Sequence, residues 1–150
     1  MIQRIQSVYL LVVTILIIIC LCSPVGSYIG SDYSVSALTN LCLTMADGTK
    51  DYAPWALFVI LLVVAVLAFG TIFLFKKRML QIRLTIFSTI LLIGYYATLV
   101  TFIFMLKEES MTFSLSWIVC LPLVAIILNW LAIRAIGKDE VLVKAYDRLR

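Results

Sequence analysis

Apolar residues in this chain fall into four long blocks, not into alternating runs or narrow one-sided stripes. The blocks cover about residues 5–23, 54–75, 83–106 and 114–136. Each is close to the ~20 residues that a helix needs to cross the hydrocarbon of a bilayer. Runs such as 10–21 and 57–67 show no period of two. That excludes barrel strands and predicts helices, which satisfy their own backbone hydrogen bonds in lipid. The expected fold is an all-α integral membrane protein, a single domain over 1–150 built as a four-transmembrane-helix bundle.

The connections sharpen this picture. Residues 24–53 are the only sizeable polar stretch, an outer loop opened by Pro24 and Gly26, which should stop the first helix. Strand-like runs at 33–38 and 41–45 are followed by Asp47-Gly48, a hairpin signal. A small extracytoplasmic β-hairpin is therefore expected. A lone hairpin is marginal in water, so Tyr28, Tyr33 and Tyr52 are expected to pack it on the helix ends. Pro54 suits a first helical turn and Trp55 the membrane interface. Lys76-Lys77-Arg78 should end the second helix, leaving a short turn to the third. Lys107-Glu108-Glu109-Ser110 forms the next turn, Ser114 or Ser116 caps the fourth helix, Pro122 kinks it and Gly137 ends it. In the tail, 137–150, Val141, Leu142, Ala145, Tyr146 and Leu149 share one helical face. With Asp139 as N-cap and Glu140–Lys144 as an i,i+4 pair, a short amphipathic C-terminal helix is predicted, lying on the membrane or docked on the bundle.

Charge then sets the orientation. The chain carries 12 Lys and Arg against 8 Asp and Glu, a net +4. The excess does not point to nucleic acid, because it sits beside the apolar blocks. With both termini inside, the inner segments hold Arg4, Lys76, Lys77, Arg78, Arg83, Arg134, Lys138, Lys144, Arg148 and Arg150. The outer ones keep only Lys50 and Lys107, among Asp32, Asp47, Asp51, Glu108 and Glu109. The positive-inside bias places both termini in the cytoplasm. Arg134 lies near enough to an end to snorkel. The N-terminal block is read as an uncleaved first span.

Composition narrows the chemistry. The chain is 64% hydrophobic and 13% charged and has no histidine, so the commonest acid–base group and metal ligand is missing. No C-x-x-C pair, Gly-rich phosphate loop or embedded carboxylate is present. Neither enzymatic activity nor a cofactor is expected. Cys22 and Cys42 both fall on the outer side, where they either pair or remain thiols. The outer acids lack calcium-loop spacing. In the third span, Gly94 with Thr98, and Ala97 with Thr101, are small-x-x-x-small pairs. These residues and Asn129 in the fourth span are read as helix-packing contacts, with a polar pore lining as the alternative.

Three polar segments are distinctive together: residues 1–11, MIQRIQSVYLL; residues 80–84, LQIRL; and DEVLVK at 139–144 leading to DRLR at 147–150. They resemble a family of uncharacterised four-span inner-membrane proteins of Bacteroidota, a domain of unknown function, along the whole chain. The resemblance implies the same topology and a location in a bacterial inner membrane, and supplies no activity. All three segments fall on the expected cytoplasmic side. A single interaction surface is therefore predicted from Gln3, Arg4, Gln6, Lys76, Lys77, Arg78, Gln81, Arg83, Asp139, Glu140, Asp147, Arg148 and Arg150. Within it the glutamines should bond to tail groups, and Arg83 should meet Asp139, Glu140 or Asp147. The function expected is non-catalytic: an accessory or scaffold subunit of a larger membrane complex, in contact with lipid and with a membrane protein or further copies of itself. A small oligomeric transporter or channel, and an outer binding module carried by residues 27–53, are the alternatives.

Overall fold

The computed structural model describes residues 2–74, 76–107 and 109–149, with side chains from Ile5 onward. Phe75, Glu108, Arg150 and the side chains of Gln3 and Arg4, all used in the sequence reading, lie outside the described residues. Four helices dominate: α1 Ile2–Cys22, α2 Trp55–Phe73, α3 Arg78–Leu106 and α4 Cys120–Arg148. All four are long and apolar enough to cross a membrane. A small antiparallel sheet covers one end, formed by β1 Gly26–Ile29, β2 Val35–Leu38, β3 Leu43–Thr44, β4 Lys50–Asp51 and β5 Thr112–Leu115 in the order β4-β3-β2-β1-β5.

The helices form a ring in which α1 packs against α2 and α4, and α3 closes the circuit against both. Val13, Ile17, Leu61, Val64, Leu92 and Ala125 lie in the main core. Small residues, Ala65 and Ala68 on α2 and Ala125 and Ala132 on α4, occupy buried positions where large ones would hold the helices apart. The outward faces are equally apolar: Leu11, Ile15, Val66, Phe69, Ile90, Ile93 and Ile127 are all exposed. Only a third of the positions are buried in three of the apolar windows, and 17% in that of α3. Such a surface would drive non-specific association in water. Two ends are distinct. The sheet end carries Trp55 and Trp117, both exposed at helix starts. The other, where α1 begins and α4 finishes, carries Lys76, Lys77, Arg78, Arg83 and Lys144 around a single cleft. We call it the termini end.

Several expectations need correction. The outer loop builds more than a hairpin. The Asp47-Gly48 turn forms, with Gly48 at φ +89° and the Asp47 carboxylate accepting from the Thr49 N–H and O–H, but three further strands extend it. Gly26, read as a helix stop, opens β1. A Cβ there would come within 2.7 Å of the Phe113 ring and the Ser114 carbonyl, so the β1–β5 pairing requires glycine. Of the three tyrosines expected to anchor the sheet, Tyr28 does so: its hydroxyl donates to the Ile103 carbonyl at 3.0 Å and its ring meets Phe113, while Tyr33 and Tyr52 are exposed. Burial raises the Tyr28 pKa. Ser116 caps a short 3-10 turn, Trp117–Val119, that leads into α4. Pro122 falls in the first turn of α4, where its missing N–H interrupts no helical bond. Gly137 does not end α4, which runs without a break to Arg148, so the tail is no separate helix. A glycine in a helix interior costs only about 1 kcal/mol against alanine, and no proline follows to enforce a stop.

Candidate functional site at the termini end

The α3 sequence determines which of its polar groups face the bundle. Gln81, Thr85, Ser88, Leu92, Tyr95 and Leu99 are its buried positions, a stripe at spacings of three and four. Continued backwards, that stripe reaches Arg78 and leaves Arg83 on the far side. Accordingly the Arg78 Nη2 lies 3.2 Å from the Asp139 Oδ2, and the acid is buried at 8% exposure. This is the ion pair expected for Arg83, made instead by the arginine on the core face. Its geometry is that of charges in contact and not of a directed hydrogen bond. Arg83 is exposed, and its expected contacts with Asp139, Glu140 or Asp147 are absent among the described residues.

The two described glutamines act on backbone. Gln81 Nε2 donates to the Thr71 carbonyl at 3.1 Å, in the last turn of α2, a carbonyl that also accepts from the Leu74 N–H at 3.1 Å. Gln6 Nε2 donates to the Ala135 carbonyl of α4 at 3.1 Å. Both are buried and tie helices together, so neither belongs to an open surface. Glu140 pairs with Lys144 at 3.2 Å, one turn along α4.

What stays open is a cleft of about 840 Å³. Its walls are Lys76, Lys77, Arg78 and Arg83 from the α2–α3 turn and the start of α3, and Glu140, Val143 and Lys144 from α4. Met79 and Leu80 supply apolar lining. Lys76, Lys77 and Arg83 are exposed and have no ion-pair partner among the described residues. The α3 N-terminus has neither a side-chain cap nor an acid in its first turn. From Val141 to Arg148 every residue of α4 is exposed, so α4 projects past the point where Asp139 meets Arg78. Asp147 and Arg148 lie on that projection. Glu140, Val143 and Lys144 border the cleft, while Val141 and Leu142 line a separate apolar hollow with Gly137 and Lys138. Arg134 stacks over the exposed Trp130 ring at 4.9 Å.

The remaining candidates separate cleanly. At Gly94, Thr98 and Thr101 no hydrogen bond joins one helix to another among the described residues. A Cβ on Gly94 would meet nothing within 4 Å, and both threonine hydroxyls bond back to carbonyls one turn earlier, Gly94 at 2.8 Å and Ala97 at 2.9 Å. Gly94 and Thr101 are exposed, away from the buried stripe, and Thr98 is half-buried at its flank. Asn129 is fully buried between α4 and α3, its Nδ2 3.5 Å from the Ser88 hydroxyl and its Oδ1 without a partner. Cys22 and Cys42 are free thiols, the first exposed and the second buried. Asp32, Asp47 and Asp51 each accept hydrogen bonds within their own turns, and no group of three or more acids or cysteines converges on a metal-sized space among the described residues.

The residue that sequence reasoning overlooked is Asn40. Fully buried at the sheet end, it joins three helices: its Nδ2 donates to the Cys20 carbonyl at 2.7 Å, its Oδ1 accepts from the Tyr95 hydroxyl at 2.8 Å, and its own carbonyl accepts from the Phe58 N–H at 3.1 Å. No periodic signal in the loop marks it. None of the curated proteins compared with the chain matches it. The family described as Domain of unknown function (DUF4293) matches residues 2–149, and the chain belongs to that family.

Proposed function

We propose that this chain is a non-catalytic, multi-pass protein of the bacterial inner membrane, with both termini in the cytoplasm, that serves as an accessory or scaffold subunit of a larger membrane complex. The apolar outward faces of four spanning-length helices, the exposed tryptophans at the sheet end and the clustered cations at the termini end support the placement. The observation that carries the role is the projection of α4. Eight consecutive residues, 141–148, are exposed on a helix continuous with the bundle, and Leu149 beyond them is exposed too. Val141, Leu142, Ala145, Tyr146 and Leu149 share one face of it, in the manner of a helix that docks in a groove of another protein.

Placement and role are tested separately. On spheroplasts, with the exposed Cys22 and Cys120 changed to serine, an impermeant thiol reagent should label Lys50→Cys and spare Lys77→Cys; the reverse pattern would invert the topology. Purified in mild detergent, the full chain should bring down one reproducible partner, released by Leu142→Asp with Tyr146→Asp while the amount of chain in the membrane is unchanged. A solitary particle, or a partner that survives both substitutions, would remove the scaffold reading.

A further inference from the structure

The cleft at the termini end is built against its own electrostatics. Five cations line it, Lys76, Lys77, Arg78, Arg83 and Lys144, against Glu140 in the wall and Asp139 behind Arg78, a local excess of three. The first turn of α3 already presents the positive end of a helix dipole, where acids or capping hydroxyls are stabilising and cations are not. Lys77 and Arg78 stand there instead, with no acid in that turn and no cap. Lys76, Lys77 and Arg83 are left without a counter-charge among the described residues. The missing component is an anion. Its apolar side is also specified: Met79 and Leu80, both exposed, sit in the same cleft beside the cations, with Val143 opposite on α4.

We propose that this cleft holds the phosphate headgroup of an anionic phospholipid from the adjoining leaflet, with Lys76, Lys77 and Arg83 on the phosphate and Met79 and Leu80 against the upper acyl chain. The inference rests on the membrane reading above. A free phosphate would satisfy the cations but would leave the two apolar side chains in water; a lipid satisfies both. Asp139 orients Arg78, fixing the wall against which the headgroup sits. Glu140 holds Lys144 on the opposite wall. Bound there, a lipid would join the α2–α3 turn to the base of the α4 projection.

The test uses the full chain in nanodiscs of phosphatidylcholine with a minor fraction of phosphatidylglycerol, with retained lipid read by native mass spectrometry. Phosphatidylglycerol should be retained in preference to phosphatidylcholine. Each single change, Lys76→Gln, Lys77→Gln or Arg83→Gln, should lower that preference by about fivefold at low salt, the scale of one basic residue at an anionic surface. The pair Lys50→Gln with Lys107→Gln, at the sheet end, should leave it intact. Met79→Gln should weaken retention without altering the charge. Equal retention of the two lipids, or loss caused equally by the sheet-end pair, would overturn the site. Displacement of the lipid by millimolar inorganic phosphate would overturn the lipid as occupant. A chain extracted from membranes by alkaline carbonate would instead defeat the underlying membrane reading, and that outcome is distinct from insertion without lipid preference.

Discussion

The two ends of this bundle treat buried and charged groups in opposite ways. At the sheet end, Asn40 uses its amide and its carbonyl to bind α1, α2 and α3, and the loop acids close their own turns. At the termini end the core itself turns polar: Gln6, Thr71, Gln81, Thr85 and Asp139 are all buried there, while Lys76, Lys77 and Arg83 stand free outside it. The contrast teaches where each end gets its order. The sheet end ties its helices and turns together with its own groups. The termini end holds its helices with glutamine-to-carbonyl bonds and presents exposed charge and an exposed helix end, which on the reading proposed above another molecule would match.

Two asparagines allow the contrast to be broken most forcefully, since both are fully buried. Asn40→Leu leaves the Cys20 carbonyl with only the long Ser23 N–H contact at 3.4 Å and takes the 2.8 Å acceptor from the Tyr95 hydroxyl. Losing a buried partner costs a group about 1–3 kcal/mol, so a loss of about 2 kcal/mol is expected. Asn129→Leu removes a group whose Oδ1 has no partner and whose single amide contact is 3.5 Å long. It should cost less than about 1 kcal/mol or stabilise the chain. Reversible denaturation of both variants in mixed micelles compares them directly. Equal losses would show that the closure of the sheet end does not depend on Asn40.

Gly26→Ala probes the same end through backbone approach. The new methyl would sit 2.7 Å from both the Phe113 Cζ and the Ser114 carbonyl oxygen, and the carbonyl cannot move without parting β1 from β5. Overpacking of this kind costs about 1–3 kcal/mol. The expected signature is local: faster amide exchange in β1 and β5 with the helices unchanged. Unchanged exchange at Tyr28 and Ser114 would contradict the close packing seen here.

The unequal legibility of the two ends has physical causes. The four helices could be read from length and apolar content, because each is apolar on its outward as well as its inward face and carries no finer pattern. The positions of Arg78 and Arg83 were also legible, had the stripe through Gln81, Thr85, Ser88 and Leu92 been extended back by one turn. The same stripe would have placed Thr98 and Thr101 off the buried face, where a hydroxyl bonded to its own helix needs no neighbour. The fifth strand was not legible. Thr112–Leu115 is too short to show a period, and its partner β1 lies in a segment whose Pro24 and Gly26 speak only of helix termination. Asn40 was hidden for a related reason: its partners come from three helices distant in sequence, and a polar residue in a polar loop carries no local mark. The continuity of α4 was missed because Gly137 weighs little against the helical bonds around it.

The smallest effect concerns how the sheet end responds to acid. Asp47 accepts from the Thr49 O–H at 2.6 Å and the Thr49 N–H at 3.0 Å, and these bonds hold its carboxyl below the ordinary aspartate range; the Ser34 bonds do the same for Asp32. A folded-state pKa below the unfolded one contributes stability that is present above the unfolded value and is lost as pH falls through the folded one. The β3–β4 turn should therefore loosen only in strong acid, and the Thr49 amide resonance should titrate below the ordinary aspartate midpoint. Asp47→Asn should abolish that titration while leaving Gly48 in its left-handed turn. Both carboxylates are fully solvated, so the effect on global stability is slight and is read at the turn itself. A Thr49 midpoint at the ordinary value would mean that the turn is not closed by Asp47, and the sheet end would then owe its order to Asn40 and the β1–β5 contact alone.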